Sequence, residues 1–233
     1  MTPWEIFVNE FIEKEGYLTF LTGLKNTAII AVFGLLIGIV IGTLIAVIKV
    51  VPKKNVFSKA LEKIADIYVG FFRGTPMVVQ LLIGYFILFP AMNIRIDAVF
   101  VAVAIFGMNS GAYVSEIMRS GLQSVDPGQT EAGRSLGMSY AATMFKIVIP
   151  QAIKNILPTL GNEFIVLVKE TSVVSFIAVI DITKAFRSLA DASYEYVVPY
   201  LMLALTYLII VIGITALIRL MERRLKRSER RSN

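Results

Sequence analysis

The 233-residue chain contains no cysteine and no histidine. Those two absences remove disulfide frameworks, Cys/His zinc sites and every mechanism that needs an imidazole base, most hydrolase triads among them. Charge is scarce as well: Asp, Glu, Lys and Arg make up 17% of residues, against about a quarter in an ordinary soluble domain. There is no G-x-x-x-x-G-K-[ST] loop to cradle the phosphates of ATP. Gly70-Phe71-Phe72-Arg73-Gly74 carries glycines but lacks the Lys-Ser/Thr pair. Clustered acidic metal ligands are also missing. Glu163 and Glu170 lie roughly 10 Å apart by helical rise, too far for a shared-proton pair. What the chain does have is apolar bulk, 56% of its residues. The length suits one domain, and the composition places most of that domain inside a bilayer.

A membrane helix needs roughly 20 mostly apolar residues. Four uncharged stretches meet or approach that length: Asn26 to Ile48 (23 residues), Gly74 to Ile94 (21), Ala98 to Ser115 (18) and Tyr196 to Ile218 (23). A fifth, Asn155 to Ile180, is 26 residues long but holds Glu163, Lys169 and Glu170. Basic residues decide whether it spans, because they collect on the cytosolic side. Lys49, Lys53, Lys54, Lys59 and Lys63 follow the first stretch. Arg119, Arg134, Lys146 and Lys154 follow the third, and Arg219, Arg223, Arg224, Lys226, Arg227, Arg230 and Arg231 follow the last. All of them fall on one side only if the polar stretch crosses. The expected architecture is therefore all-α and polytopic, one transmembrane domain over 1–233. Its five spans lie near 24–50, 64–90, 97–118, 155–180 and 196–220, with the N-terminus outside and the C-terminus in the cytosol. Residues 1–18 are too acidic for a signal peptide. They read as a short amphipathic helix on the outer membrane surface.

Gly34, Gly38 and Gly42 form a small-xxx-small ridge, read as helix packing. Met92 to Asp97 and Asp181 to Glu195 are short connecting loops. The largest segment outside the membrane is 120–154. Asp126-Pro127-Gly128 signals a turn. Gln129 to Leu136 reads as a helix ended by Gly137, and Ser139 caps a second helix, Tyr140 to Ile149, stopped by Pro150. This hairpin is too small to hold a core of its own. The basic tail from Arg219 suits anionic lipid headgroups and gives no reason to invoke nucleic acid.

Within the hairpin, Glu131-Ala132-Gly133, three residues, Gly137, nine residues, then Ile147-x-Ile149-Pro150 resembles the EAA loop of ABC importer permeases. That family's pattern is E-A-A, three residues, G, nine residues, I-x-L-P. Gly133 stands for an Ala and Ile149 for a Leu. Phe72-Arg73-Gly74-Thr75-Pro76, Ala112-Tyr113-(x2)-Glu116-Ile117-x-Arg119, Gly128-Gln129 and Lys169-Glu170-Thr171-Ser172 look like the polar amino acid uptake subfamily. The resemblance runs from about residue 19 to 222. It implies a type I importer permease fold in a bacterial inner membrane, worked by separate ABC ATPase subunits that bind the ATP and magnesium. No cofactor is expected in this chain. It also implies a second permease subunit, identical or related, and an extracytoplasmic binding protein. Glu131, Ala132, Gly133, Gly137, Ile147 and Pro150 are then the ATPase-coupling residues, with the small ones permitting close approach.

Ionisable residues at membrane depth are costly and mark function or pairing. Helical rise puts Arg73 and Glu163 roughly 14 Å into their spans, near the midplane. Pro76 interrupts helical bonding beside Arg73, and broken helices at the midplane mark many transporter sites. The expected substrate site has Arg73, Gly74 and Thr75 at the carboxylate end of an amino acid and Glu163 with Asn162 at a cationic group. Thr171 is a candidate for the pathway wall or for a bond back to its own helix. Arginine, lysine or histidine then follows as substrate. The alternatives are glutamine or another neutral polar amino acid, a purely structural Arg73–Glu163 pair, and an ion-driven secondary carrier. Glu116 and Arg119, three residues apart, are expected to form a local ion pair.

Overall fold

The structure is a computed structural model that describes residues 2–50 and 55–229, with side chains as far as Leu225. Lys53, Lys54, Arg230 and Arg231, which entered the charge argument, lie outside the described residues, as do the side chains of Lys226 and Arg227. Every regular element among the described residues is helical. α1 (Pro3–Val8) runs into a π turn at Asn9–Glu13. α2 is Gly16–Val50 and α3 is Val56–Gly74. α4 starts at Met77–Ile83 and continues through a π turn, Gly84–Leu88, to Phe89–Ala91. α5 is Ala98–Gln123 and α6 is Pro127–Ser135. α7 comprises Tyr140–Thr143, a π turn at Met144–Val148, and Ile149–Glu170; a 3-10 segment, Thr171–Ile177, follows it. α8 is Ile182–Ser193 and α9 is Val197–Glu229.

The spine of the bundle is α2 against α5. A Cβ added to Gly34, Gly38 or Gly42 would fall 3.1, 2.6 and 2.7 Å from side-chain atoms of Phe106, Ser110 and Val114. In return, Ile37 and Ile41 fill the space above Gly107 and Gly111, where a Cβ would meet them at 2.5 and 2.7 Å. Both rows climb in the same direction, so α2 and α5 run parallel. The glycine ridge read from the sequence is a packing surface, doubled by a second ridge on its partner. Gly111→Val is expected to cost about 1–3 kcal/mol through overpacking, whereas Gly213, with nothing within 4 Å of its Cβ position, should accept alanine without a large change. Thermal unfolding of the two purified variants in detergent checks the contrast.

Parallel helices oblige the intervening chain to return to its starting side. α3 and α4 make that return as a pair bent by 109°, so the span expected at 64–90 is two legs rather than one rod. The sequence cause is Pro76, which has no N–H to give and pushes Thr75 into an extended conformation (φ −120°, ψ 147°). The carbonyls freed by the break are not left bare. Gln80 Nε2 reaches the Phe72 and Thr75 carbonyls at 2.8 and 3.0 Å and Thr75 Oγ1 at 2.8 Å. Asn109 of α5 donates to Gln80 Oε1 at 2.8 Å and to the Phe72 carbonyl at 3.3 Å. Buried backbone groups need such partners.

α7 runs antiparallel to α5: Ser110, Gly121 and Ser124 meet Glu163, Ile156 and Asn155 in turn. Among the described residues, three helices are long and apolar enough to cross a membrane, Gly16–Val50, Ala98–Gln123 and Val197–Leu225, with the bent pair as a fourth. The stretch 155–180 is not among them, because its charged residues lower its hydropathy. It takes the form of α7 followed by the 3-10 segment.

Pro150 does not stop a helix, contrary to the sequence expectation. Its ring would abut the carbonyl four residues earlier in a regular helix. Here that stretch is the wider π turn Met144–Val148, in which the Ile149 N–H bonds the Met144 carbonyl. Pro150 then occupies the first turn of the next α segment, where a missing N–H is tolerated. The hairpin helix and the long helix are one continuous α7.

Two further readings change. The loop expected at 181–195 contains α8, capped by Asp181, which accepts from the Thr183 and Lys184 N–H groups at 2.9 Å each. α8 buries Ile182, Ala185, Phe186, Leu189 and Ala190. α1 lays its aromatic face on protein: Phe7 is buried with Ile182, Phe186 and Leu189, and Phe11 stacks on it with ring centroids 5.4 Å apart. Burial pushes the Asp181 carboxyl above its usual range, against the hydrogen bonds it accepts. A folded-state pKa above the unfolded value means that the folded state holds the proton more tightly. This contribution is full below the unfolded-state pKa and falls as pH climbs through the folded one. Asp181→Asn is expected to flatten that part of the stability–pH profile, measured by thermal unfolding across the weakly acidic range.

Candidate functional site

α3, α5 and α7 line an open cavity of about 400 Å³. Arg73 comes to it from the end of α3, Tyr113 and Glu116 from α5, and Asn155, Thr159 and Glu163 from α7. Glu163 is 8% exposed, and its Oε1 accepts a hydrogen bond from Ser110 Oγ at 3.0 Å. Ser110 is itself fully buried and is backed by Gly38 of α2. The Arg73 guanidinium sits over the Tyr113 ring, 5.6 Å from its centroid, a cation–π arrangement that orients the charge. The two ionisable residues singled out at membrane depth thus line one space. Among the described residues the ion pairs do not include one between Arg73 and Glu163, so the structural-pair alternative finds no contact here.

The other expected substrate residues lie elsewhere. Asn162 is exposed and off the cavity, turned away from its neighbour by the helical step of about 100°. Gly74 is exposed, with nothing within 4 Å of its Cβ position. Thr75 donates to the Phe71 carbonyl at 2.8 Å and is held by Gln80. Thr171 is fully buried and donates to the Val168 carbonyl at 2.8 Å, the second of its two readings. Ser110, Gln80, Asn155 and Thr159 were not singled out as site residues. Hydroxyl and amide groups repeating on one face of an apolar helix were the signal for them.

At the hairpin end of α5, Glu116 bonds Arg119 at 2.7 Å, the pair expected from spacing, and Lys49 of α2 joins it at 3.2 Å. Lys49 also reaches Asp66 at 3.0 Å, tying α2 to α3.

In the hairpin, Asp126 Oδ1 accepts from Gly128 N–H at 2.8 Å to start α6, and Ser139 Oγ accepts from Ala142 N–H at 3.2 Å to start α7. Gly137 joins the arms in a left-handed conformation, φ +80°, which glycine adopts without steric penalty. Glu131 and Ala132 are exposed, as is Pro150; Ile147 is half-buried. Gly133 is buried, and a Cβ there would lie 2.7 Å from Thr143 Cγ2. The glycine that replaces the loop pattern's alanine is therefore matched by the threonine across from it. Leu136 and Phe145 are 82% and 72% exposed. The sequence reading did not pick them out, although apolar residues on a hairpin too small for a core are the mark of a docking surface.

A bundle of long apolar helices, a cleft that gathers Arg73, Glu116 and Glu163, and a hairpin with bare Leu136 and Phe145 fit a membrane permease. The chain belongs to the family of binding-protein-dependent transport system inner membrane components, whose profile matches residues 34–227. It is therefore a multi-pass inner-membrane component of an ABC importer rather than its ATPase, and the ion-driven carrier is excluded. The arginine transport system permease protein ArtQ of Bacillus subtilis (strain 168) is 37% identical over 209 residues, 90% of this chain and 93% of that protein. The putative glutamine transport system permease protein GlnP of Rickettsia bellii (strain RML369-C) is 42% identical over 203 residues, 87% and 88% of the two chains. A solved structure described as an amino acid ABC transporter with histidines is 40% identical, with a TM-score of 0.82, covering 91% of this chain and 96% of its own.

Proposed function

We propose that this permease subunit of an ABC amino acid importer carries cationic amino acids: arginine, lysine or histidine. The observation that carries the reading is Glu163, a buried carboxylate with a serine donor and no ion pair with a described residue, in the same cavity as Arg73. A buried carboxylate is strongly destabilising unless a cation or several donors meet it; a guanidinium, ammonium or imidazolium side chain supplies that cation. Arg73 serves the substrate carboxylate. Two relatives agree with this: the arginine permease ArtQ, and the amino acid transporter solved with histidines. Glutamine is the second reading, because the GlnP relatives are named for it and Glu163 can hold an α-ammonium alone.

The working complex has two permease subunits, two ATPase subunits that bind the ATP and magnesium, and an extracytoplasmic binding protein. The hairpin faces the cytosol and docks on the ATPases through Glu131 to Pro150. The N-terminus lies outside, and the parallel and antiparallel directions of α2, α5 and α7 suit five crossings. Proteoliposomes holding the assembled importer and its binding protein test the substrate. ATP-dependent arginine uptake that unlabelled lysine or histidine suppresses and glutamine does not is the expected result; the reverse pattern assigns the glutamine reading.

A further inference from the structure

The cavity does not end at Glu163. Its lining continues towards the hairpin as two facing rows. On α5 the row is Tyr113, Glu116, Ser120 and Ser124; on α7 it is Glu163, Thr159 and Asn155. Steps of three and four residues keep each row on one helix face. Ile117 and Gly121 supply the apolar lining between the rows, and Gly121 gives Ile156 room to close the seam between α5 and α7. From Glu163 to Asn155 the distance along the helix is about 12 Å. At that far end Asn155 Nδ2 donates to Ser124 Oγ at 2.8 Å, joining the two rows.

We propose that Ser120, Ser124, Asn155 and Thr159 form the inner leg of the translocation pathway, an exit lane from Glu163 to the hairpin side with the Asn155–Ser124 bond at its threshold. The proposal rests on Glu163 being the substrate's acidic partner. Thr159 lies within the stretch 155–180, and polar side chains at membrane depth are placed on protein or on water-filled space, not on lipid. Asn155, Ser120 and Ser124 carry the same polar lining on to the hairpin boundary, and all four are exposed within the chain yet share one cavity. Their chemistry suits passage rather than capture, because hydroxyls and an amide can replace water around an ammonium or carboxylate without fixing it. The lane's one carboxylate, Glu116, is already held by Lys49 and Arg119, so it does not trap a departing cation. Conduction needs sites weak enough to leave. A strong station at Glu163 followed by a neutral lane meets that condition.

This chain has no native cysteine, so each thiol in it is an introduced one. Ser120→Cys, Ser124→Cys and Thr159→Cys are compared with Val40→Cys, an exposed α2 position inside the first apolar stretch and off the lane. The assembled importer in proteoliposomes is treated from the hairpin side with a charged, membrane-impermeant methanethiosulfonate reagent. Lane thiols are expected to react on the order of tenfold faster than Val40→Cys, since thiolate formation needs water. Saturating arginine with binding protein should slow that reaction, and modification should block uptake. Lane thiols no faster than the control, or uptake that survives their modification, overturn the lane. Having three lane positions covers the loss of any one variant to misassembly. Uptake preference before modification is read separately. Normal labelling with a lost cationic preference overturns only the Glu163 reading.

Discussion

Glu163→Gln is expected to abolish the preference for cationic amino acids while leaving an assembled importer that still carries neutral ones. A hydrogen bond to a charged group contributes about 1.5–3 kcal/mol, roughly 10- to 150-fold in affinity. That is the expected rise in the concentration of arginine needed for half-maximal uptake. Glutamine keeps the volume and can still accept from Ser110, so the packing of α5 on α7 is preserved and the change is one of charge. Competition uptake with arginine, lysine and glutamine measures it. An unchanged cationic preference would refute the assignment. Ser110→Ala separates positioning from charge. The carboxylate remains but loses its one side-chain donor, and a smaller rise, with the cationic preference retained, is expected.

Gly137→Asp is expected to abolish ATP-driven transport without preventing membrane insertion. The position needs a left-handed backbone, which costs an ordinary residue about 1–2 kcal/mol and aspartate less than most. Among the described residues beyond its two chain neighbours, none has an atom within 4 Å of the added Cβ, so no packed side chain is displaced. The side chain instead adds bulk and charge to the tip of a hairpin whose Leu136 and Phe145 are bare. An apolar groove on a partner would reject it. Uptake, ATPase activity stimulated by loaded binding protein, and co-purification with the ATPase should all fall, while the permease's thermal unfolding changes little. Full ATP-driven uptake by this variant would remove the hairpin from the coupling path.

Hydropathy was enough to find α2, α5 and α9, because lipid acts on each of these helices separately. The hairpin was legible for a local reason: Asp126, Gly137 and Ser139 each act on backbone within three residues. What escaped the sequence was set by distant partners. α8 is too short and too amphipathic for a hydropathy window, and its apolar face is explained by distant partners, Phe7 and Phe20 on one side and Val198 and Met202 of α9 in the same cluster. The bend at Pro76 was readable, but not its clamp, since Asn109 comes from 29 residues beyond Gln80. Glu163 stood out as a charge in an apolar run. Its serine, 53 residues away in the chain, did not, because nothing local distinguishes Ser110 from a hydroxyl that bonds its own helix. Asn162 and Thr75 were included for adjacency, and adjacency on a helix or at a break points side chains in different directions.

Helical continuity through Pro150 has a mechanical result. From Tyr140 in the hairpin to Glu163 is about 35 Å of helix, with one widened turn at Met144–Val148, one internal proline, Pro158, and no loop between them. A rod of that length swung by about 5° moves its far end by about 3 Å, as much as the Ser110–Glu163 contact itself spans. On the proposed roles of Glu163 and the hairpin, a modest stroke at one end of the long helix would be large enough to pull the carboxylate off its serine, a lever that loosens its own cargo.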